Sequence, residues 1–203
     1  MNLEPSRTAV LALHLERDII EPSGAFGVVH APMIERNGML EHSARLLAAA
    51  REHGVAVVYA RVAFDPGHPG LEPTSVLHRA VLESGALVRE TPGTEIVEAL
   101  APAPGDAVID HVGTSAFVGG ELARLLADRG IDTVLLLGVT TNVIVEGTAR
   151  DAGNAGLRTY VLEDCTAAAD EALHSASLQT LAFIIDGVVG SDEVVAALDT
   201  EAA

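Results

Sequence analysis

The chain has 203 residues, of which 49% are hydrophobic and 20% are charged, so we expect one domain spanning residues 1–203. All 12 cationic residues are arginine and they stand against 29 acidic residues, which gives a formal charge of −17. The absence of lysine excludes Schiff-base chemistry, and the acidic balance argues against nucleic acid as a partner. The single cysteine, Cys165, excludes an internal disulfide and CxxC motifs.

Hydropathy favours a protein of the cytoplasm. No uncharged apolar run approaches the roughly 18 residues of a membrane span, and the first residues lack the basic and apolar regions of a signal peptide. We therefore expect a soluble, cytoplasmic protein with no membrane partner.

Six short apolar runs predict β-strands. Each is rich in valine, leucine and isoleucine and is nearly continuous rather than alternating, as expected for strands that are covered on both faces. This pattern indicates a parallel sheet. The runs are 8–15, 55–64, 106–112, 132–139, 158–164 and 186–190.

Helical spacing of apolar residues appears between these runs, and glycines end two of the segments. The predicted helices are 37–54, 119–130, 141–156 and 170–183. Strand and helix in alternation predict an α/β fold, a three-layer αβα sandwich with a six-stranded, mainly parallel sheet. Segments 19–35 and 64–78 are predicted to be long loops at the carboxyl ends of strands, where they would form pocket walls.

Polar residues at strand ends are the first candidates for chemistry. His14 interrupts an apolar strand, and period-two alternation predicts that His14, Glu16 and Asp18 share one side. His111 ends the third strand and would point into the same crevice. The plain alternative is two ordinary strand-end histidines, satisfied by backbone, with solvated carboxylates behind His14.

A third feature is the segment GVTTNVIVE, in which Thr140, Thr141 and Asn142 follow a strand and open a helix. Free amides at a helix start bind a carbonyl oxygen or an anion. The alternative is a simple N-cap formed by Thr141 or Asn142.

Four segments together resemble the isochorismatase-like hydrolases, also called cysteine hydrolases. They are TAVLALHLERD, DHVGTSAF, GVTTNVIVE and VLEDCTAAADEALHSASL, and the likeness runs from about residue 8 to residue 190. The resemblance implies a six-stranded parallel sheet flanked by helices, a cis peptide between Val139 and Thr140, and an oxyanion hole formed by the amides of Thr140 and Ile144.

The catalytic residues of that family do not carry over. Its aspartate, lysine and cysteine positions are matched here by His14, His111 and Ile144. Ile144 has no nucleophilic atom, so a thioester intermediate cannot form there. Cys165 follows the fifth strand, and its expected role is that of a small buried hydrophobe.

We therefore hypothesise an enzyme that acts on a small carbonyl- or carboxylate-bearing molecule without a cysteine nucleophile and without a cofactor. His14 and His111 would serve as acid and base, with Glu16 or Asp18 orienting one imidazole. The alternative is a catalytically silent small-molecule-binding or partner protein on the same fold.

A metallohydrolase is a third possibility, in which the loop FDPGHP would add Asp65 and His68 to His14 as ligands, although its spacing differs from that of metal-binding relatives. We expect no bound metal. The histidines at positions 30, 42, 53, 78 and 174 are interpreted as surface or local packing residues.

Apolar residues complete the predicted pocket and a predicted interface. Phe26 and Phe117 would form apolar walls, whereas Glu146 would either hydrogen-bond across the site or belong to a helix surface. The apolar helix 172–185 suggests a shared interface, and relatives are commonly oligomeric, so we expect a homodimer or homotetramer.

Overall fold

The computed structural model, which describes residue 1 and residues 3–201, contains the predicted sheet. Its six strands lie in the order β3-β2-β1-β4-β5-β6, and every neighbouring pair is parallel. Each strand falls on one of the six apolar runs, so the predicted strands are confirmed. They are Thr8–Leu13 (β1), Ala56–Val62 (β2), Ala107–His111 (β3), Thr133–Val139 (β4), Arg158–Ala167 (β5) and Gly187–Val189 (β6).

Helices cover both faces of the sheet and make the three-layer sandwich. Residues of α5, α6 and α7 pack on one face, and those of α2, α3 and α8 pack on the other. The helices are Arg17–Ile20 (α1), Gly27–Arg36 (α2), Met39–Glu52 (α3), Val76–Ser84 (α4), Glu121–Asp128 (α5), Glu146–Asn154 (α6), Glu171–Ile184 (α7) and Ser191–Glu201 (α8). None of the described helices is long and apolar enough to span a bilayer.

Strand β1 explains why the apolar runs are continuous. Val10 and Ala12 point into the core beneath α3 and α8, whereas Leu11 and Leu13 point into the core beneath α5 to α7. Every residue of the strand is buried. A strand with two covered faces favours apolar side chains on both of them, so alternation is lost.

The prediction of a loop over 19–35 is wrong. Helices α1 and α2 occupy most of this segment, and Met33 and Ile34 of α2 pack into the core. Pro32 inside α2 and glycine at its start weaken the local helical signal, and packing of the apolar face outweighs them. The prediction of a loop over 64–78 is correct up to residue 75. Helix α4 begins at Val76 and contains the last three residues of that segment.

The strand order creates a switch point between β1 and β4. The chain proceeds from β1 to β2 on one side, whereas β4 is followed by β5 on the other. In open parallel sheets the crevice for a ligand lies outside the carboxyl ends of the strands at such a point. Here these ends lead into His14 and Thr140.

Candidate active site

A cavity of about 480 Å³ opens at the carboxyl ends of the central strands. This volume is in the range of sites for small molecules. Most of its lining residues are apolar. The lining side chains with polar atoms are His14, His30, His78, Thr114 and Thr140.

His14 and His111 meet through their rings, as the sequence predicted. Their Nε2 atoms are 3.0 Å apart, and the ring planes differ by 24°. His14 follows β1 with a left-handed backbone, φ 53°, and its amide donates to the carbonyl oxygen of Ala60. His14 lines the cavity, whereas the prediction that His111 points into it is wrong, because His111 is buried and is not part of the lining.

The hydrogen bond from Gly113 favours one tautomer of each ring in the pair. The Gly113 amide donates to Nδ1 of His111 over 3.3 Å, so this nitrogen carries no proton. The proton of neutral His111 is therefore on Nε2 and is donated to Nε2 of His14. His14 then carries its own proton on Nδ1, which has no hydrogen-bond partner among the described residues.

Both rings are held in the neutral form. Burial, and after it the proximity of His111, lowers the pKa of His14 well below its usual value of 6.5. Burial lowers the pKa of His111 to about 4, against an opposing effect of the neighbouring Asp110 carboxylate. At neutral pH the pair therefore carries no charge and can still exchange protons.

Glu16 does not orient either imidazole, so this prediction is wrong. Its side chain is fully buried, and Oε1 accepts a hydrogen bond from the amide of Val62. Its Oε2 has no partner among the described residues. Burial raises the pKa of Glu16 to about 8, so the carboxyl is protonated at neutral pH.

Asp18 holds a wall of the cavity rather than a histidine. Its Oδ2 accepts a hydrogen bond of 2.9 Å from the amide of Leu87, which lines the cavity. The predicted alternation of His14, Glu16 and Asp18 fails because β1 ends at Leu13 and helix α1 begins at Arg17. The left-handed turn at His14 redirects the chain between these two elements.

The turn after β4 presents backbone to the cavity. The peptide between Val139 and Thr140 is cis, as the resemblance implies. The carbonyl oxygen of Thr140 accepts from the amides of Val143 and Val145, whereas the amide of Thr140 has no backbone acceptor in the described part of the chain. Thr140 lines the cavity, so its amide is available to a bound oxygen atom.

The helix start differs from the predicted one. Residues Thr141–Val145 form one π-helical turn, and the N-cap is Thr140, which makes no side-chain cap. Capping by Thr141 or Asn142 is therefore not observed. Instead, Thr141 Oγ1 is 2.8 Å from Nδ1 of His174 on α7, and neither Thr141 nor Asn142 lines the cavity.

Glu146 belongs to a structural network. Its Oε2 accepts from the hydroxyl of Ser177 on α7 over 2.7 Å, and its Oε1 accepts from Arg150 over 2.8 Å. The Ser177 hydroxyl also lies 3.3 Å from the carbonyl oxygen of Thr141. Of the two interpretations of Glu146, a hydrogen bond across the cavity is not formed, and the side chain joins α6 to α7.

Of the three remaining predicted pocket residues, two line the cavity and one does not. Phe26 and Ile144 line the cavity, and Ile144 presents its apolar side chain where the resemblance places a nucleophile. Phe117 lies outside the lining and packs on the core beneath α5 to α7. Cys165 lies within β5 rather than after it, is fully buried in the core beneath α3 and α8, and burial raises the pKa of its thiol to about 12.

Two histidines of the cavity were missed. His30 and His78 both line it, although the sequence interpretation made them surface or packing residues. Nδ1 of His30 is 3.3 Å from the carbonyl oxygen of Ile19, and Nδ1 of His78 is 3.0 Å from that of Glu72. Their positions in the sequence could have indicated a place in the cavity, because both lie in the segments predicted to form the pocket walls.

The alternative metal ligands have other partners. Nε2 of His68 is 2.7 Å from the carbonyl oxygen of Ala86, and Asp65 is paired with Arg89. Among the described residues, no three histidine, cysteine or carboxylate side chains are grouped to hold a metal ion. The proposed set of His14, Asp65 and His68 is therefore not assembled.

Comparison with known proteins places the chain in a family. A model described as the Isochorismatase domain matches residues 8–193. Maleamate amidohydrolase from Pseudomonas putida is 34% identical over 151 residues, which cover 74% of this chain and 68% of that protein. Ureidoacrylate amidohydrolase RutB from Rhizobium rhizogenes is 29% identical over 178 residues, which cover 82% and 72% respectively.

Solved structures agree with this match. The crystal structure of a cysteine hydrolase from Pseudomonas syringae pv. phaseolicola superposes with a TM-score of 0.88 at 28% identity, covering 98% of this chain and 96% of that one. An isochorismatase family protein from Desulfovibrio vulgaris gives a TM-score of 0.81 at 28% identity, covering 97% of this chain and 98% of that one. The chain belongs to the isochorismatase family, and its matched relatives include amidohydrolases.

Proposed function

We propose that the protein is a hydrolase of a small carbonyl compound that works without a cysteine nucleophile and uses His14 and His111 as its acid–base pair. The observation that carries the proposal is the 3.0 Å contact between the two Nε2 atoms, with His14 on the cavity wall. A positioned acid–base group typically contributes ~10² to 10⁴ in rate.

The pair can supply a donor or an acceptor at the same atom. In the tautomers that the Gly113 amide favours, Nδ1 of His14 bears a proton and donates to a substrate oxygen. If each ring carries its proton on the other nitrogen, Nδ1 of His14 becomes a base. Nδ1 of His111 is then protonated, so the long hydrogen bond from the Gly113 amide is lost. Water then gives its proton to His14, the shared proton moves to Nε2 of His111, and hydroxide attacks the carbonyl carbon.

Neighbouring groups stabilise the charges that form in this step. The cation that forms on His111 lies beside the Asp110 carboxylate, which favours its protonated form. The oxyanion is accepted by the free amide of Thr140. As the carbonyl re-forms, the leaving nitrogen or oxygen atom takes the proton back from the pair.

The matched relatives support an amide as the reacting bond. Two of them are named as amidohydrolases of maleamate and ureidoacrylate. Position 144 carries isoleucine, and the thiol of Cys165 lies outside the cavity with a raised pKa, so the cavity contains no thiol nucleophile. Activated amides, esters and lactones are therefore the substrates best suited to acid–base catalysis by histidine.

A silent binding protein is the second candidate. The specific observation in its favour is that Ile144 puts a hydrocarbon where the resemblance places the nucleophile, while the cavity stays open. It predicts binding without turnover.

The test is turnover of a panel of small amides, esters, lactones and enol ethers by the wild-type protein and by Cys165→Ala. We expect the same activity in both proteins, and no inactivation by iodoacetamide, because the thiol is buried away from the cavity. Loss of activity in a folded Cys165→Ala protein would overturn the cysteine-free mechanism. Binding of a ligand with no turnover of any compound would favour the silent protein.

We also propose a homodimer or homotetramer that resides in the cytoplasm. The side chain of Phe183 on α7 is 90% exposed, and Leu173 and Ile184 on the same helix are exposed as well. Exposed apolar side chains in one area favour burial against another molecule. A native mass measurement distinguishes a monomer from an oligomer.

A further inference from the structure

We propose that the cavity selects neutral, largely apolar carbonyl compounds, such as alkyl or aryl amides and esters, and rejects carboxylates. The inference rests on the proposed function only for the identity of the reacting group, since selection by charge is a property of binding. It narrows the expected substrates, because a carboxylate-bearing molecule was one of the two classes that the sequence allowed.

The composition of the cavity wall disfavours an anion. The described residues that line the cavity include no aspartate, glutamate or arginine. Transfer of a carboxylate from water into such surroundings without a cation is unfavourable. The formal charge of −17 on the chain adds repulsion at a distance, so an anion is disfavoured both on approach and in the cavity.

The polar atoms of the cavity are arranged to favour a neutral ligand. Nδ1 of His30 and of His78 each face a carbonyl oxygen, and Nδ1 of His78 also lies 3.1 Å from the hydroxyl of Thr74. In a neutral ring whose Nδ1 donates to the carbonyl oxygen, Nε2 is an acceptor. Acceptors repel a carboxylate and accept a hydrogen bond from an amide or hydroxyl. The donors are Nδ1 of His14, the amide of Thr140 and the hydroxyls of Thr114 and Thr140, and the hydroxyls can also accept. The cavity thus matches a neutral molecule with one carbonyl oxygen and a few N–H or O–H groups.

The mouth of the cavity is apolar. Val29, Val76, Leu77 and Val112 line the cavity and are also exposed, with Val76 at 75%. When a hydrocarbon chain covers exposed apolar side chains around an opening, the free energy of the complex is lowered. The portion of the ligand away from its carbonyl group is therefore expected to be a hydrocarbon.

The test compares octanamide with octanoate, two probes of equal length that differ in charge, by isothermal titration at neutral pH. We expect the wild-type protein to bind octanamide at least tenfold more tightly. Val29→Arg places a cation at the mouth and is expected to raise octanoate affinity about tenfold or more. The matched control is Val28→Arg, because Val28 is exposed on the same helix but does not line the cavity.

Octanamide preference in the wild type, together with gain of octanoate binding in Val29→Arg alone, supports the proposal. Equal or tighter binding of octanoate by the wild type overturns it, as does failure of both probes to bind or the absence of any octanoate gain in Val29→Arg. An equal gain in Val28→Arg would assign the effect to net charge and overturn the cavity argument. If neutral probes bind but no compound is turned over, the proposed function fails and this inference stands.

Discussion

Replacement of His14 by asparagine is expected to lower kcat/KM by ~10² to 10⁴ while the fold is retained. Asparagine tolerates the left-handed backbone at this position, φ 53°, better than most residues, so the substitution removes the imidazole without adding backbone strain. The measurement is steady-state turnover of the best compound from the panel, with a thermal melt to verify folding.

The partner variant tests whether the two rings act as a unit. Since His111 reaches the cavity only through His14, we expect His111→Asn to lose most of the same activity and the double variant to lose little more than either single one. Wild-type turnover in a folded His14→Asn protein, or losses that multiply in the double variant, would contradict the paired mechanism.

The second large effect is expected at Gly147. An added Cβ there would lie 2.2 Å from the carbonyl oxygen of Thr114, a residue of the cavity wall. Gly147→Ala therefore forces α6 away from the wall, and we expect a loss of about 1–3 kcal/mol in the free energy of unfolding together with reduced turnover. Denaturant unfolding measures the first quantity, and kinetics measures the second.

Gly153→Ala is the matched control, since Gly153 lies on the same helix and its Cβ would meet no atom within 4 Å. Here the change removes a flexible residue from a helix, so a gain of up to about 1 kcal/mol with unchanged turnover is expected. Equal effects at the two glycines would show that α6 is not pressed against Thr114.

The sheet could be predicted because its physical requirement is simple. A parallel strand that is covered on both faces needs a continuous apolar run, and β1 meets this need with six buried residues. Helix α2 was missed because its stability comes from burying Met33 and Ile34 in the core rather than from its own propensities. Local pattern does not contain that information.

The site was predicted in part for the same reason. Strand ends of a parallel sheet converge, so the meeting of His14 and His111 follows from their positions after β1 and at the end of β3. The positions of Glu16 and Asp18 depend on the left-handed turn at His14, and alternation cannot foresee such a turn. His30 lines the cavity because it lies on α2, a helix that was not predicted.

The pH dependence of kcat/KM tests the central claim, that a neutral histidine pair carries the chemistry, most directly. Protonation of the pair abolishes the base, so activity falls as pH decreases through the apparent pKa of the pair. Burial lowers the pKa of both rings, to about 4 for His111. The range from about pH 4 to pH 7 keeps Glu16, with its pKa of about 8, protonated throughout. The account predicts an acid limb with its midpoint clearly below pH 6 while the protein remains folded. A midpoint at 6.5 or above, or a rate that rises steadily toward alkaline pH as a thiolate would require, would contradict it.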